Sequence, residues 1–165
     1  MSKGALIDAL SSPNYVRFVY DGDGSAGGPA GPPGSAGIED IFTNYFDKQG
    51  LASSEPTDFD GRSDYGPFIA VGIPAGGLFS GAEGIKTDGE AAIYGGTAGV
   101  AYDKCYHQAC DTLNNISELA LTQHKDAAVH AVGTFAQTTS SVNGTGKASS
   151  SSTKAWDWKG DHQVR

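Results

Sequence analysis

"ALIDALSSPNYVRFVYDGD", residues 5–23, is the stretch on which the fold turns. The apolar run 5–10 meets "SSPN", a Ser/Pro/Asn turn signal, which predicts a strand ending at Asp8. "YVRFVYDGD", residues 15–23, alternates aromatic, β-branched and polar residues, and this predicts a second strand. "GSAGGPAGPPGSAG", residues 24–37, is a Gly/Pro loop, with Ser35 placed to cap a following helix. Ile38, Ile41, Phe42, Tyr45 and Phe46 then fall at helical spacing as one apolar stripe, and Gly50 is a C-terminal stop. Strand and helix alternate, which points to α/β architecture.

Further on, "SEPTDFDGRSDYGPF" (54–68) reads as polar and turn-rich. "FIAVGIPAGGLFSG" (68–81) reads as a short helix or turn leading into a buried strand near "GGLF". "GAEGIKTDGEAAIYGGTAGVAYD" (81–103) is expected to be a long irregular loop, a length associated with function or disorder. "NNISELALTQHKDAAVHAVGTFA" (114–136) is the clearest helix. Asn115 and Glu118 stand at capping-box spacing, and Leu121, Ala128, Val132 and Phe135 are read as its inward face. "QTTSSVNGTGKASSSSTK" (137–154) is low in complexity. The expected division is a folded domain over 1–137, a Ser/Thr/Gly-rich linker over 138–154 and a short tail over 155–165.

The 165 residues suit one domain, and 18% charged residues with 24 glycines describe a globular, loop-rich chain. A net charge of -8 repels phosphate backbones and argues against nucleic acid as a partner. No apolar run reaches membrane-spanning length, and "MSKGALIDAL" is too short and too polar to read as a signal peptide.

"DKCYHQACDTL", residues 103–113, holds the only two cysteines. Cys105, His107 and Cys110 supply at most three donors, short of the paired Cys/His spacing of a structural zinc site. Nothing in the sequence marks either thiol as an activated nucleophile. A disulfide closing the short loop fits better, and would fix the backbone around Tyr106 and His107. A bridge of this kind implies an oxidising compartment.

"GRSDYGPF" (61–68), "GIPAGGLFSGAEGIKT" (72–87) and "YGGTAGVAYDKCYHQACDTLNNI" (94–116), with the closing helix and the opening strand–SPN stretch, resemble the C-terminal half of secreted bacterial two-zinc aminopeptidases, metallopeptidase family twenty-eight. The resemblance runs from about Ala5 to Phe135. It implies part of a three-layer αβα sandwich with a mixed central sheet, lacking its first half. It also implies a hydrolase that removes N-terminal residues, preferably large apolar ones, with water activated by two zinc ions.

Carried over by position, the resemblance makes Asp8 and His107 zinc ligands and Tyr106 the hydrogen-bond donor to the oxyanion. Arg62 and Phe79 line the pocket for the substrate's N-terminal residue, and Cys105 pairs with Cys110. The family's other zinc ligands and its base Glu have no match; Glu83 of "GAEG" belongs to the late loop and is not that base. His124, His130 and His162 fit nothing in the metal pattern and are expected to be solvated or packed.

The isolated chain is therefore expected to hold one zinc weakly or none, and to be inactive. Its partners are expected to be a peptide and either a missing N-terminal half or a second copy. A non-catalytic peptide-binding or self-assembling module is the alternative. The family is extracellular, while the chain as written shows no export signal. Calcium modulates some relatives through acidic residues near the closing helix; Asp126 matches one such position, but Thr122 stands where a second carboxylate belongs. Weak calcium binding or none is expected, so adding millimolar calcium should leave the thermal melting midpoint unchanged; a concentration-dependent rise would overturn this.

Overall fold

The computed structural model describes residues 4–51 and 54–143, with the backbone alone for 4–8. The opening strand forms as read, β1 (Gly4–Asp8). The second is shorter than its alternation suggests, β2 (Phe18–Tyr20): before it, the Val16 N–H donates to the Ser80 carbonyl, just past the end of a neighbouring strand. After it come α1 (Ser35–Lys48), β3 (Glu55–Thr57), α2 (Gly66–Ala70), β4 (Ala75–Phe79), α3 (Asp88–Tyr94), α4 (Glu118–Gln137) and α5 (Ser140–Asn143). The four strands make one mixed sheet in the order β1-β4-β2-β3. β1 runs parallel to β4, β4 antiparallel to β2, and β2 parallel to β3. The parallel register sets Asp8 beside Phe79, so two strands end together where two loops begin.

The alternation of β2 divides the core. Val19 and its register partner Leu78 face Ile38, Phe42 and Phe46 of α1 and Ala127 and Ala131 of α4. Tyr20 and Ala75 belong to a second cluster with Tyr65, against which Phe59, Ile69 and Phe79 pack. Gly76 lets α1 lie close on the sheet, since a Cβ there would run into the Ile38 side chain. The predicted stripe of α1 is thus the buried one, and Gly50 ends the helix in the left-handed region at φ 66°.

Several expectations are corrected. Ser35 does not cap α1: Gly34 takes that position, and the buried Ser35 hydroxyl accepts the Ala75 N–H at 3.1 Å, tying helix to strand. The polar stretch 54–68 contains β3, whose partner is β2. The expected loop 81–103 contains α3, held by a capping box in which the Thr87 hydroxyl accepts the Glu90 N–H and Glu90 accepts the Thr87 N–H. At α4 the cap is Ser117, not Asn115; Asn115 lies in a 3-10 turn and donates to Asp103.

The inward face of α4 is also rotated from the expected one. Ala120, His124, Ala127, Ala128 and Ala131 are buried, whereas Leu121 and Val132 are exposed and Phe135 is half-buried. Small side chains let α4 approach α1, so closeness prevailed over side-chain size. Leu10, Leu121, Ala128, Val129 and Val132 are left lining an apolar trough on the surface. Packing continues past the expected boundary at residue 137, because Val142 of α5 is buried in the α1 cluster. Residues 144–165, with the rest of the expected linker, the tail and His162, lie outside the described residues. No helix among the described residues is long and apolar enough to cross a membrane.

Phe46→Ala should cost about 3–5 kcal/mol in urea denaturation, the range for a buried aromatic truncated to Ala. Val132→Ser, on the exposed trough, should change stability by less than about 0.5 kcal/mol, as surface substitutions do.

Candidate active site

The site begins with the turn that ends β1. The Ser12 N–H donates to Ser80 Oγ at 3.0 Å, and Ser12 Oγ donates to the Gly81 carbonyl at 2.6 Å. Both the Ser80 hydroxyl and the Ser80 N–H donate to the Ala9 carbonyl. The chain leaving β1 is thereby bound to the chain leaving β4. Asn14 extends the clasp: its Nδ2 donates to the carbonyls of Thr97, Val100 and Ala101, and its Oδ1 accepts the Thr97 N–H. Lys86 is buried beneath, its Nζ donating to the Tyr15 carbonyl at 2.8 Å, and burial pulls its pKa below the usual lysine range.

The long loop therefore returns in a fixed position and delivers the cysteine loop. Cys105 and Cys110 are bonded, with Cα atoms 5.3 Å apart. On chain-entropy arguments so short a loop gains about 2 kcal/mol. Asp103, itself buried, holds the root of this loop: its Oδ1 accepts from the Cys105 N–H and from Asn115 Nδ2, both at 2.8 Å, while its own N–H donates to Ala82. Within the loop His107 is exposed, and its ring stacks on Tyr106 with centroids 4.1 Å apart. His107 (φ 57°) and Ala9 (φ 42°) both sit in the left-handed region, at a cost on the order of 1 kcal/mol each.

Tyr106 borders two clefts. One is lined by Ala9, Ser12, Asp103, His107 and Asp111, and so joins the end of β1 to the cysteine loop. The other, a small one, is lined by Tyr20, Thr57, Asp58, Asp60, Arg62 and Phe79. Its wall is stiffened from behind: Tyr20, Phe59 and Tyr65 meet with centroids 5.0 to 5.2 Å apart. The Tyr65 hydroxyl donates to Asp60 at 2.8 Å and accepts the Gly61 N–H at 2.6 Å. Burial, then the bond to Asp60, pushes its pKa up to about 12.

At the rim, Arg62 Nη2 pairs with Glu83 Oε1 at 2.7 Å. That contact raises the pKa of Arg62 further, while a hydrogen bond from its own N–H and then Arg62 lower that of Glu83.

Tyr106 and His107 thus come together beside the end of β1, and Arg62 and Phe79 share the second cleft with Tyr106. The Asp8 side chain lies outside the described residues; its backbone is the last of β1. Among the described residues the one group of three convergent donors is Asp21, Asp23 and Glu39. Asp21 there takes the N–H groups of Gly24, Ser25 and Ala26, and Glu39 that of Gly22, so these carboxylates order the Gly/Pro loop.

His124 is packed, its Nδ1 2.8 Å from the Ala120 carbonyl, and burial pulls its pKa down. His130 is exposed and lies against the Tyr45 ring. Sequence reasoning missed Asp103 and the structural part of Asn115. It gave Glu83 no role beyond not being the base, although "GAEG" follows Phe79 directly enough to have suggested a place at the rim.

A fold of this kind, with its loops gathered at the common end of two parallel strands, is characteristic of α/β enzymes. The profile of Peptidase family M28 matches residues 4–132, and the chain belongs to this family. It is 56% identical over 120 residues to a Pseudomonas aeruginosa protein named aminopeptidase, covering 73% of this chain and 22% of that protein. It is 50% identical over 135 residues to a probable leucine aminopeptidase 2 of Aspergillus oryzae, covering 82% and 27%. A leucine aminopeptidase 2 of Trichophyton rubrum is 48% identical over 130 residues, covering 79% and 26%. The chain therefore spans about a quarter of the length of these curated relatives.

Tyr65 gives a pH signature. Its ordinary pKa of 10.0 applies to the unfolded chain, against about 12 in the fold. Between these values the unfolded state has lost a proton that the folded state keeps, so stability should fall as pH rises through this window. Ultraviolet titration should show a late-ionising group of tyrosines, which also includes Tyr94 and Tyr102, both raised by burial, and Tyr65→Phe should remove one member of it.

Proposed function

We propose that this chain is part of the catalytic domain of a zinc-dependent aminopeptidase, one that removes N-terminal, preferably large apolar, residues from peptides. What carries the reading is the position of Tyr106 between a cleft holding His107 and the β1 terminus and a cleft holding Arg62 and Phe79. In this reading Asp8 and His107 are metal donors, and Phe79 and Arg62 receive the substrate's first side chain. The Tyr106 hydroxyl donates to the oxygen on which charge develops, a role suited to a preorganised donor at the rim of both clefts. Zinc, when bound, supplies a water acidic enough to attack at neutral pH.

Two donors are fewer than a zinc site takes, so the remaining donors and the general base come from polypeptide outside this chain. That polypeptide completes the sheet along β1 and the third layer of the sandwich, and covers the trough formed by Leu121, Val129 and Val132. Two observations support this: β1 is an outer strand, and the trough is an exposed apolar patch beside Leu10, just after β1. Association with a second copy is the competing occupant. The Cys105–Cys110 bridge suits an extracellular setting. A peptide-binding module without catalysis is the second reading, favoured by the second cleft's being built wholly from this chain.

The 165-residue chain alone should release no nitroaniline from leucine p-nitroanilide with zinc present, and should gain activity when refolded with a polypeptide that supplies the remaining donors and the base. In the active assembly Tyr106→Phe should lower kcat about 100- to 1000-fold with little change in KM, as loss of an oxyanion donor does. Metal-dependent turnover by the chain alone would refute the proposal. Peptide binding without turnover in the completed assembly would favour the second reading.

A further inference from the structure

Arg62 is the one cation among the described residues lining the second cleft, and Asp58 and Asp60 are the anions. A lone arginine there would attract an N-terminal residue with an acidic side chain. Arg62 is not alone: Glu83, brought in by the loop after β4, holds its Nη2 at 2.7 Å. Both members are about half exposed, at 56% and 58%, so the pair does little for stability. Its effect on the neighbouring cleft is larger in consequence, because it cancels the one positive charge that lines the pocket among the described residues.

Asp60 is held in place by the Tyr65 hydroxyl at 2.8 Å and the Arg62 N–H at 3.0 Å. Asp58 leans against Gly28, where a side chain would displace it. Asp60 is therefore fixed in position, Asp58 stands exposed on the same cleft, and the guanidinium is neutralised by its partner.

We propose that Glu83 is a specificity-determining residue. By silencing Arg62 it leaves the pocket field to Asp58 and Asp60, so the site excludes N-terminal Asp and Glu while admitting apolar and basic first residues. This rests on the reading of the second cleft as the pocket for the substrate's first residue. A carboxylate brought near Asp58 and Asp60 in a solvent-facing cleft should lose on the order of tenfold in affinity. The discrimination should shrink at high salt, since the groups are solvent-facing.

The test uses the 15N-labelled 165-residue chain titrated with Leu-Ala, Lys-Ala and Glu-Ala, following amide shifts of Gly61, Arg62, Phe79 and Tyr106. Leu-Ala and Lys-Ala should bind, with Glu-Ala about tenfold weaker. Glu83→Gln should bring Glu-Ala to within about twofold of Leu-Ala, whereas Arg62→Gln should widen the gap. A merely structural ion pair would move both variants in the same direction, which would overturn the proposal. Asp58→Asn should narrow the gap without touching the pair. Equal affinity for Glu-Ala and Leu-Ala in the unaltered chain would also overturn it while leaving the pocket assignment intact. No shift with any dipeptide would remove the pocket assignment and this proposal together.

Discussion

The arrangement depends on one constraint: the backbone leaving β1 is bound to the backbone leaving β4 through two serines. Parallel pairing brings the ends of the two strands side by side, but pairing alone would let the following loops diverge. Ser12 and Ser80 prevent that by exchanging hydrogen bonds with each other and with the carbonyls of Ala9 and Gly81. Buried carbonyls and amides need partners, and here the partners are supplied across the strand ends. Asn14 then takes three carbonyls of the returning loop, so the loop's position follows from the clasp.

From there the order passes outward to the chemistry. Lys86 is anchored on Tyr15, Tyr102 donates to Glu90 of the α3 cap, and Asp103 fixes the root of the disulfide loop. Each is a polar group satisfied in a largely buried place, where loss of one partner costs more than the bond itself is worth. The half-buried Tyr106 and the exposed His107 thus stand on a rigid base although they lie in a loop without regular structure. On the other side, the Tyr20–Phe59–Tyr65 cluster performs the same service for Asp60 and Arg62.

Much of this was readable from the chain. The strand ending at Asp8, the stripe from Ile38 to Phe46, the Gly50 stop and the strand at "GGLF" all follow from local pattern, because each is set by periodicity or turn chemistry within a few residues. The capping box at Thr87 and Glu90 was equally local and was obscured by the glycines around it. The inward face of α4 was a different matter. Two stripes at helical spacing coexist there, one of alanines with His124 and one of larger side chains, and composition favours the larger. Choosing between them requires knowing how close α1 lies to α4.

The same division holds for the site. Residue types and spacing within "DKCYHQAC" are enough to place a tyrosine and a histidine on a braced loop, and the resemblance to a peptidase family rests on such contiguous stretches. That Glu83 reaches Arg62, that Asp103 anchors the cysteines through Asn115, and that Ser35 serves β4 rather than its own helix are contacts between residues far apart along the chain. The sequence by itself determined β1, β4, α1, the presence of α4 and the residue types each loop carries, since these depend on neighbours a few residues away. Only the tertiary structure decided which loop groups share a cleft and which charges cancel, because hydrogen bonds and ion pairs act over a few ångströms of space, whatever the separation in sequence.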